Sequence, residues 1–251
     1  MEHVALIGFG EAGRAFAAAA GCAYDIDPAK RDGIAQYANA ATVLDGATLV
    51  LSLVTADQAV AAAASYASLL VPGTLWCDFN SVAPDTKRAA ARAVEAAGAR
   101  YLDVAVMSPV LPARLGVPLL VSGPAADGGA ARLRAVGFTD VRAVGSKIGD
   151  ASAIKMIRSV MIKGIEALTA EMMLAGDAAG VSGEVLASLG DGWDARAAYN
   201  LERMTTHGLR RAAEMEEAAK TLAALGVDPL MTRGTVLRQR AAATSARREA
   251  A

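Results

Sequence analysis

The chain has 251 residues, 54% of them hydrophobic and only 4% aromatic, with 25 basic and 26 acidic side chains and a net charge of −1. That is long enough for one large or two modest domains with an alanine-rich core whose helices approach closely. Scattered, balanced charge argues against nucleic acid or an anionic membrane surface as partner, and no run of about 18 uninterrupted apolar residues reads as a membrane span.

Val4 to Ile7 form a short apolar run, β-branched at both ends, as a strand buried on both faces requires. Gly8-Phe9-Gly10-Glu11-Ala12-Gly13 follows in the pattern Gly-x-Gly-x-x-Gly, and helix formers occupy Arg14 to Ala20. Between a strand and a helix, this pattern predicts a dinucleotide site. Gly8 turns the chain, Gly10 admits a pyrophosphate to the backbone, and Gly13 allows close helix packing. The first N–H groups of the helix would face the phosphates. Cys22 to Ile26 reads as a second strand, with Asp25 near its carboxyl end, 17 positions after Gly8, placed to accept from both adenosine ribose hydroxyls. Asp27-Pro28 reads as a helix cap followed by proline at the first helical position. Ile26 stands where an arginine would hold a 2′-phosphate. The cofactor expectation is therefore NAD or NADP, with NAD favoured and Lys30 and Arg31 nearby as cations for the alternative.

Further strands are expected at Thr48–Leu53, Thr74–Phe79, Arg100–Met107, Pro118–Ser122 and Val141–Val144. Helices are expected over Asp57–Leu70, Pro84 to about Ala97, and about Ala125–Ala135. Alternation at this spacing means an α/β fold, a Rossmann-type doubly wound and mostly parallel sheet over residues 1–147. Its carboxyl edge collects Gly8 to Gly13, Asp25, Val54, Thr55, Asn80, Ser81 and Ser108. Cys22 and Cys77 fall in strands without metal or disulfide spacing and read as small buried hydrophobes, and no metal is expected.

No strand signal follows residue 145, so residues 148–251 are expected to be all-helical, a substrate and dimerisation domain. One long helix is predicted from Asp150 to about Ala179, with Ile154, Ile157, Met161, Ile165, Leu168 and Met172 as its apolar stripe. Shorter helices are predicted at about 183–189, 195–206, 209–225 and 229–242, with a frayed tail from Ala243. In the long helix Ser152, Lys155, Ser159 and Glu166 share one side. Apolar neighbours on most sides of Lys155 make it a partly buried lysine, a group able to exchange a proton near neutrality. His207 reads as a surface or packing residue that could line a cleft. The helix offers more apolar surface than one small domain covers, which predicts a homodimer through the C-terminal helices.

The order of these segments resembles the β-hydroxyacid dehydrogenase superfamily, which includes 3-hydroxyisobutyrate and 6-phosphogluconate dehydrogenases. More narrowly, it is similar to the branch with a distinctive helical C-terminal domain of poorly defined function. The resemblance spans nearly the whole chain. The dinucleotide motif matches Gly8, Gly10 and Gly13, the substrate-binding segment matches Asp78, Asn80, Ser81 and Pro84, and the interdomain motif matches Gly149 and Lys155. Composition, the lack of an apolar span and the two unpaired-reading cysteines predict a soluble, cytoplasmic protein; what the resemblance implies is an NAD(P)-dependent oxidoreductase acting on a small hydroxy acid, a carboxylate substrate. Lys155 would be its general acid/base, with Asn80, Ser81, Ser108 and Ser159 as substrate contacts. An imine or opine-type reductase and a non-catalytic NAD(P)-binding protein are the alternatives. The chain departs from the family pattern at Met107 and Pro109, at Ser159 in place of an asparagine, and around Arg210, Arg211 and Glu214, where a late lysine is absent.

Overall fold

A computed structural model describes residues 2–30 and 39–249, with side chains through residue 244. Arg31 lies outside the described residues, as do Ala250 and Ala251. Packing divides the chain into two compact units, residues 1–155 and 156–251.

In the first unit β1 (Val4–Ile7) turns at Gly8 into α1 (Glu11–Phe16), which tightens to a 3-10 turn over Ala17–Ala19. β2 (Cys22–Tyr24) leads to a 3-10 turn at Pro28–Lys30 that Asp27 caps, its Oδ1 accepting from the Ala29 N–H at 3.0 Å. α2 (Ala40–Leu44) has no counterpart in the sequence reading, because so short a helix shows no period. Asn39 caps it by accepting from the Thr42 N–H at 2.9 Å. β3 (Leu49–Ser52), α3 (Ala59–Ala67), β4 (Leu75–Asp78), α4 (Pro84–Ala96), β5 (Arg100–Val106), β6 (Leu119–Ser122), α5 (Ala126–Ala135) and β7 (Val141–Gly145) complete the unit.

Among the described residues the strands form one sheet in the order β2-β1-β3-β4-β5-β6-β7. β1 to β5 run parallel, and β6 pairs antiparallel with β5. Alternate residues of β1 enter different cores, Val4 and Leu6 one, Ala5 and Ile7 the other, so both faces of the sheet are covered. Phe16, Phe79 and Phe138 cluster in the first core, with Phe16 and Phe138 edge to face at 5.1 Å. Cys77 is buried there and Cys22 in the second core, and burial pushes both thiols up from their ordinary range. The chain moves from β1 outward to β2 and then back to β3. The reversal point therefore lies at the carboxyl ends of β1 and β3, where open α/β sheets bind ligands.

α6 (Asp150–Ala179) starts in the first unit and runs through the boundary into the second, which adds α7 (Ser182–Ser188), α8 (Trp193–Ala224) and α9 (Leu230–Glu249). Two expectations are corrected here. α8 is continuous across Gly208 where a break between Thr206 and Leu209 was expected. A Cβ at Gly208 would stand 2.5 Å from the Gln239 carbonyl and 2.9 Å from Ala243 Cβ, so the glycine serves close packing against α9 rather than helix termination. The same contact buries Ala243, and with no breaker in the following residues α9 continues to Glu249 instead of fraying at Ala243.

α6 leaves its apolar stripe largely uncovered: Ile154 is 41% exposed, Ile157 49%, Met161 66% and Leu168 56%. The buried positions include Ser152, Met156, Ser159, Lys163, Glu166, Ala167, Thr169 and Ala170, largely small or polar. α8 and α9 supply the partners of Lys163 and Glu166, while Ser152 is held by Asp103. Arg211 makes a two-pronged ion pair with Glu166, its Nε donating to Oε2 at 2.8 Å, and Gln239 donates to the same carboxylate at 3.1 Å. Lys163 pairs with Glu214 at 2.7 Å.

Candidate functional site

The glycine motif has the geometry its residue types require. Gly8 has φ +95, and a Cβ there would meet the Leu53 carbonyl at 2.5 Å; one on Gly13 would overlap the Gly8 carbonyl. Around Gly10 nothing lies within 4 Å of the Cβ position, so this face of the turn is open where a phosphate would approach. Glu11 is exposed and Ala12 half-buried, while Phe9 directs its ring into the core and offers the site only its backbone. The Phe9 N–H donates to Asp25 Oδ2 at 2.7 Å, and the Asp27 N–H donates to Oδ1 at 2.8 Å. Asp25 is thus buried and bridged to the glycine turn. Arg14 stacks over the Phe9 ring at 5.2 Å. Lys30 pairs with Asp27 at 3.7 Å. Val54 and Thr55 follow β3 at the same edge, half-buried and exposed respectively.

β4 and β5 pair in register with Asp78 opposite Asp103, and both side chains are fully buried. Two adjacent buried carboxylates need a cation. Lys87 supplies it from α4: its Nζ lies 3.0 Å from Asp78 Oδ1 and 3.4 Å from Asp103 Oδ1 and donates to the Asp78 carbonyl at 2.5 Å. Tyr101 donates to Asp78 Oδ2 at 2.5 Å, and burial holds its phenol well above the usual range, so it stays a donor. Asp103 also accepts from the Ser152 hydroxyl at 2.6 Å and from the N–H groups of Gly149 at 3.2 Å and Ser152 at 3.0 Å. Ser122 donates to Asp103 at 3.1 Å and accepts from the Ala151 N–H at 2.9 Å. A strand carboxylate and a strand hydroxyl therefore cap the start of α6.

One turn further along α6, half-buried Lys155 directs its Nζ to Ser81 Oγ at 2.5 Å. Ser81 follows β4 in a turn shaped by the Asn80 N–H, which donates to Asp78 Oδ1 at 2.9 Å. Asn80 itself is buried and donates to Ser52 Oγ at 3.3 Å, leaving its Oδ1 without a hydrogen-bond partner. The structure thus brings together Lys155, Ser81 and, through Asp78, Asn80. Ser108 is exposed beyond β5, its hydroxyl 3.4 Å from the neighbouring Pro109 carbonyl. Ser159 is buried in the second unit and accepts from Lys163 at 3.2 Å. Arg211 and Glu214 belong to the buried ion pairs of the helical unit, and Arg210 makes only a surface contact of 3.8 Å with Glu214.

Sequence reasoning missed Lys87, Tyr101 and Ser122. A signal for Lys87 was present: it heads the stripe Lys87, Ala90, Ala91, Val94 on the buried side of α4, where a lysine is out of place unless paired. Among the described residues, no helix is long and apolar enough to cross a membrane.

Residues 3–134 match the model of the NAD binding domain of 6-phosphogluconate dehydrogenase, and residues 177–242 match a domain of unknown function, DUF1932. Among solved structures, a conserved hypothetical protein from Sinorhizobium meliloti 1021 is 39% identical, with 97% of this chain and 89% of that chain covered and a TM-score of 0.77. A conserved protein of unknown function, described as structurally similar to 3-hydroxyacid dehydrogenases, is 27% identical over 98% of either chain, with a TM-score of 0.74. The 3-hydroxyisobutyrate dehydrogenase of Mycobacterium tuberculosis shares the fold at 17% identity and a TM-score of 0.78, with 97% of this chain and 94% of that chain covered. No curated protein matches the sequence.

Proposed function

The chain belongs to the β-hydroxyacid dehydrogenase superfamily, in the branch that carries the helical domain of unknown function, and from that premise we propose that it is an NAD(P)-dependent oxidoreductase acting on a small hydroxy acid, with Lys155 as general acid/base. The observation that carries the reading is the 2.5 Å contact between Lys155 Nζ and Ser81 Oγ, which unites the two residues the family motifs single out. When bound, the nicotinamide supplies or takes up the hydride at C4. The chain's own part is to hold and move a proton. In the oxidative direction the neutral amine of Lys155 takes the proton of the substrate hydroxyl as the carbinol hydrogen leaves as hydride; in reduction the ammonium returns it. Ser81 orients that exchange, and Asn80 and Ser108 hold the substrate carboxylate at the same sheet edge. Ser159, engaged by Lys163 one turn along the same helix, serves in this reading to orient the lysine that pairs with Glu214.

Gly8, Gly10 and Gly13 would admit the pyrophosphate, and the open space at Gly10 suits that role. Oxidation of NADH and NADPH against a panel of keto acids and imines tests the function. Turnover of imines alone would replace the hydroxy acid by a C=N substrate, and binding without any turnover would leave a nucleotide-binding protein.

Asp25 carries the cofactor preference. Its carboxylate is held beside the glycine turn by the Phe9 and Asp27 N–H groups, at the strand end where two ribose hydroxyls would approach. A 2′-phosphate would face this carboxylate at a penalty of about 1–3 kcal/mol, so NADH should bind about 5- to 150-fold more tightly than NADPH. Fluorescence titration of both cofactors measures this. Equal or tighter NADPH binding would move the adenosine end to the cations around Arg14 and Lys30.

The exposed stripe of α6 supports a homodimer, since Ile157, Met161, Ile165 and Leu168 form a contiguous apolar row on one helix face. Sedimentation at micromolar concentration should give twice the chain mass, and a monomer there would remove the proposal.

A further inference from the structure

The contact between Lys155 and Ser81 is made by two segments that are each anchored on the same buried ion triad. Ser81 hangs from β4 by way of Asp78, which accepts the Asn80 N–H and so shapes the turn between Asp78 and Ser81. Lys155 hangs from the start of α6, and that start is held by Asp103, which takes the Gly149 and Ser152 N–H groups and the Ser152 hydroxyl. Lys87 is the one cation between the two carboxylates, with no exposure of its own. Its amine also meets the backbone on both strands, donating to the Asp78 carbonyl at 2.5 Å and the Val104 carbonyl at 3.5 Å.

We infer that Lys87 is a positioning residue: through Asp78 and Asp103 it sets the turn bearing Ser81 and the helix start bearing Lys155 at the distance at which their side chains meet. A buried ammonium shared by two carboxylates is a costly way to fill space, because apolar side chains at all three positions would pack without desolvating three charges. What the charge adds is directional: it draws two strand ends and one helix start to a common point, where an apolar side chain has no preferred direction. The inference rests on the reading of Lys155 as the proton-exchanging group for its functional meaning, while its geometric content stands apart from any substrate.

The test reads the Lys155 amine directly. In the full chain, trace labelling with acetic anhydride followed by peptide mass spectrometry gives the reactivity of Lys155 relative to the exposed lysines, with or without NADH. In Lys87→Met, Lys155 labelling should rise severalfold, because the amine loses its fixed contact with Ser81. Ser122→Ala, which takes the acceptor from the Ala151 N–H and a donor from Asp103 while leaving Lys87 in place, should shift it the same way. This second variant decides the matter if Lys87→Met does not fold. Parent-like labelling of Lys155 in every folded variant overturns the inference. Where turnover is measurable, Lys87→Met should lose about 10²-fold in kcat, the loss expected of a displacement near 1 Å. It should lose nothing further in a chain already carrying Lys155→Met, whereas a purely structural role would lower both backgrounds alike. If Lys155→Met keeps the parent rate while Lys87→Met changes the labelling, the positioning stands and the acid/base reading falls. If Lys155→Met abolishes turnover and the labelling is unchanged, the reverse holds.

Discussion

Lys155→Met is expected to lower turnover by about 10²–10⁴-fold while leaving cofactor affinity near that of the parent. The substitution keeps most of the side-chain length and removes the titrating amine. The two effects separate because the groups proposed to hold the cofactor, Gly8 to Gly13 and Asp25, belong to the first strand-helix-strand segment, whereas Lys155 arrives on α6. Loss of folding is not the expected outcome. The buried carboxylates nearest in sequence reasoning to this lysine, Asp78 and Glu166, have their cations in Lys87 and Arg211. Steady-state NADH oxidation, NADH titration and circular dichroism are the required measurements. A folded, NADH-binding Lys155→Met protein that turns over substrate at the parent rate would sink the assignment.

Arg211→Met should destabilise the protein by about 3–5 kcal/mol, the range found when one partner of a buried ion pair is removed. Glu166 is 3% exposed, and among the described residues its carboxylate without Arg211 keeps the Gln239 amide as its hydrogen-bond donor. Pairing the change with Glu166→Leu should recover most of the loss, because the pair as a whole offsets little more than its own desolvation. Urea unfolding followed by circular dichroism reads both variants. A loss below about 1 kcal/mol in Arg211→Met would place this pair among ordinary surface contacts.

The sheet was legible almost strand by strand, because parallel strands covered on both faces are written as uninterrupted apolar runs such as Val4 to Ile7 and Leu49 to Leu51. Its glycine turn was legible because the three glycines answer to steric demands that only glycine meets. The helical unit was harder. Gly208 looks like a stop in one dimension and is a packing contact in three. The period of Ile154, Ile157 and Met161 shows a helix correctly but does not say which face turns inward. Here the inward face is Ser159, Lys163 and Glu166, whose partners Glu214 and Arg211 lie some fifty residues away in sequence. Lys155 was singled out because it stands in a motif. Lys87 shows in the sequence only as a lysine on the buried side of a helix, and its partners emerge when two strands set Asp78 beside Asp103.

The way α6 begins has a bearing on how the chain assembles. A helix usually carries its own starting signal, a serine, threonine or aspartate just ahead of the first turn. Here Gly149 stands in that place, and the carboxylate that receives its N–H comes from a strand 46 residues upstream. The first turn therefore gains its hydrogen bonds only after β5 and β6 are laid side by side, while the rest of the helix can form early from local contacts. Amide exchange at Ala151 and Ser152 should then follow the opening of the sheet, with residues further along α6 exchanging by a separate event. A peptide of residues 147–179 would be helical in its later turns and frayed where Lys155 sits.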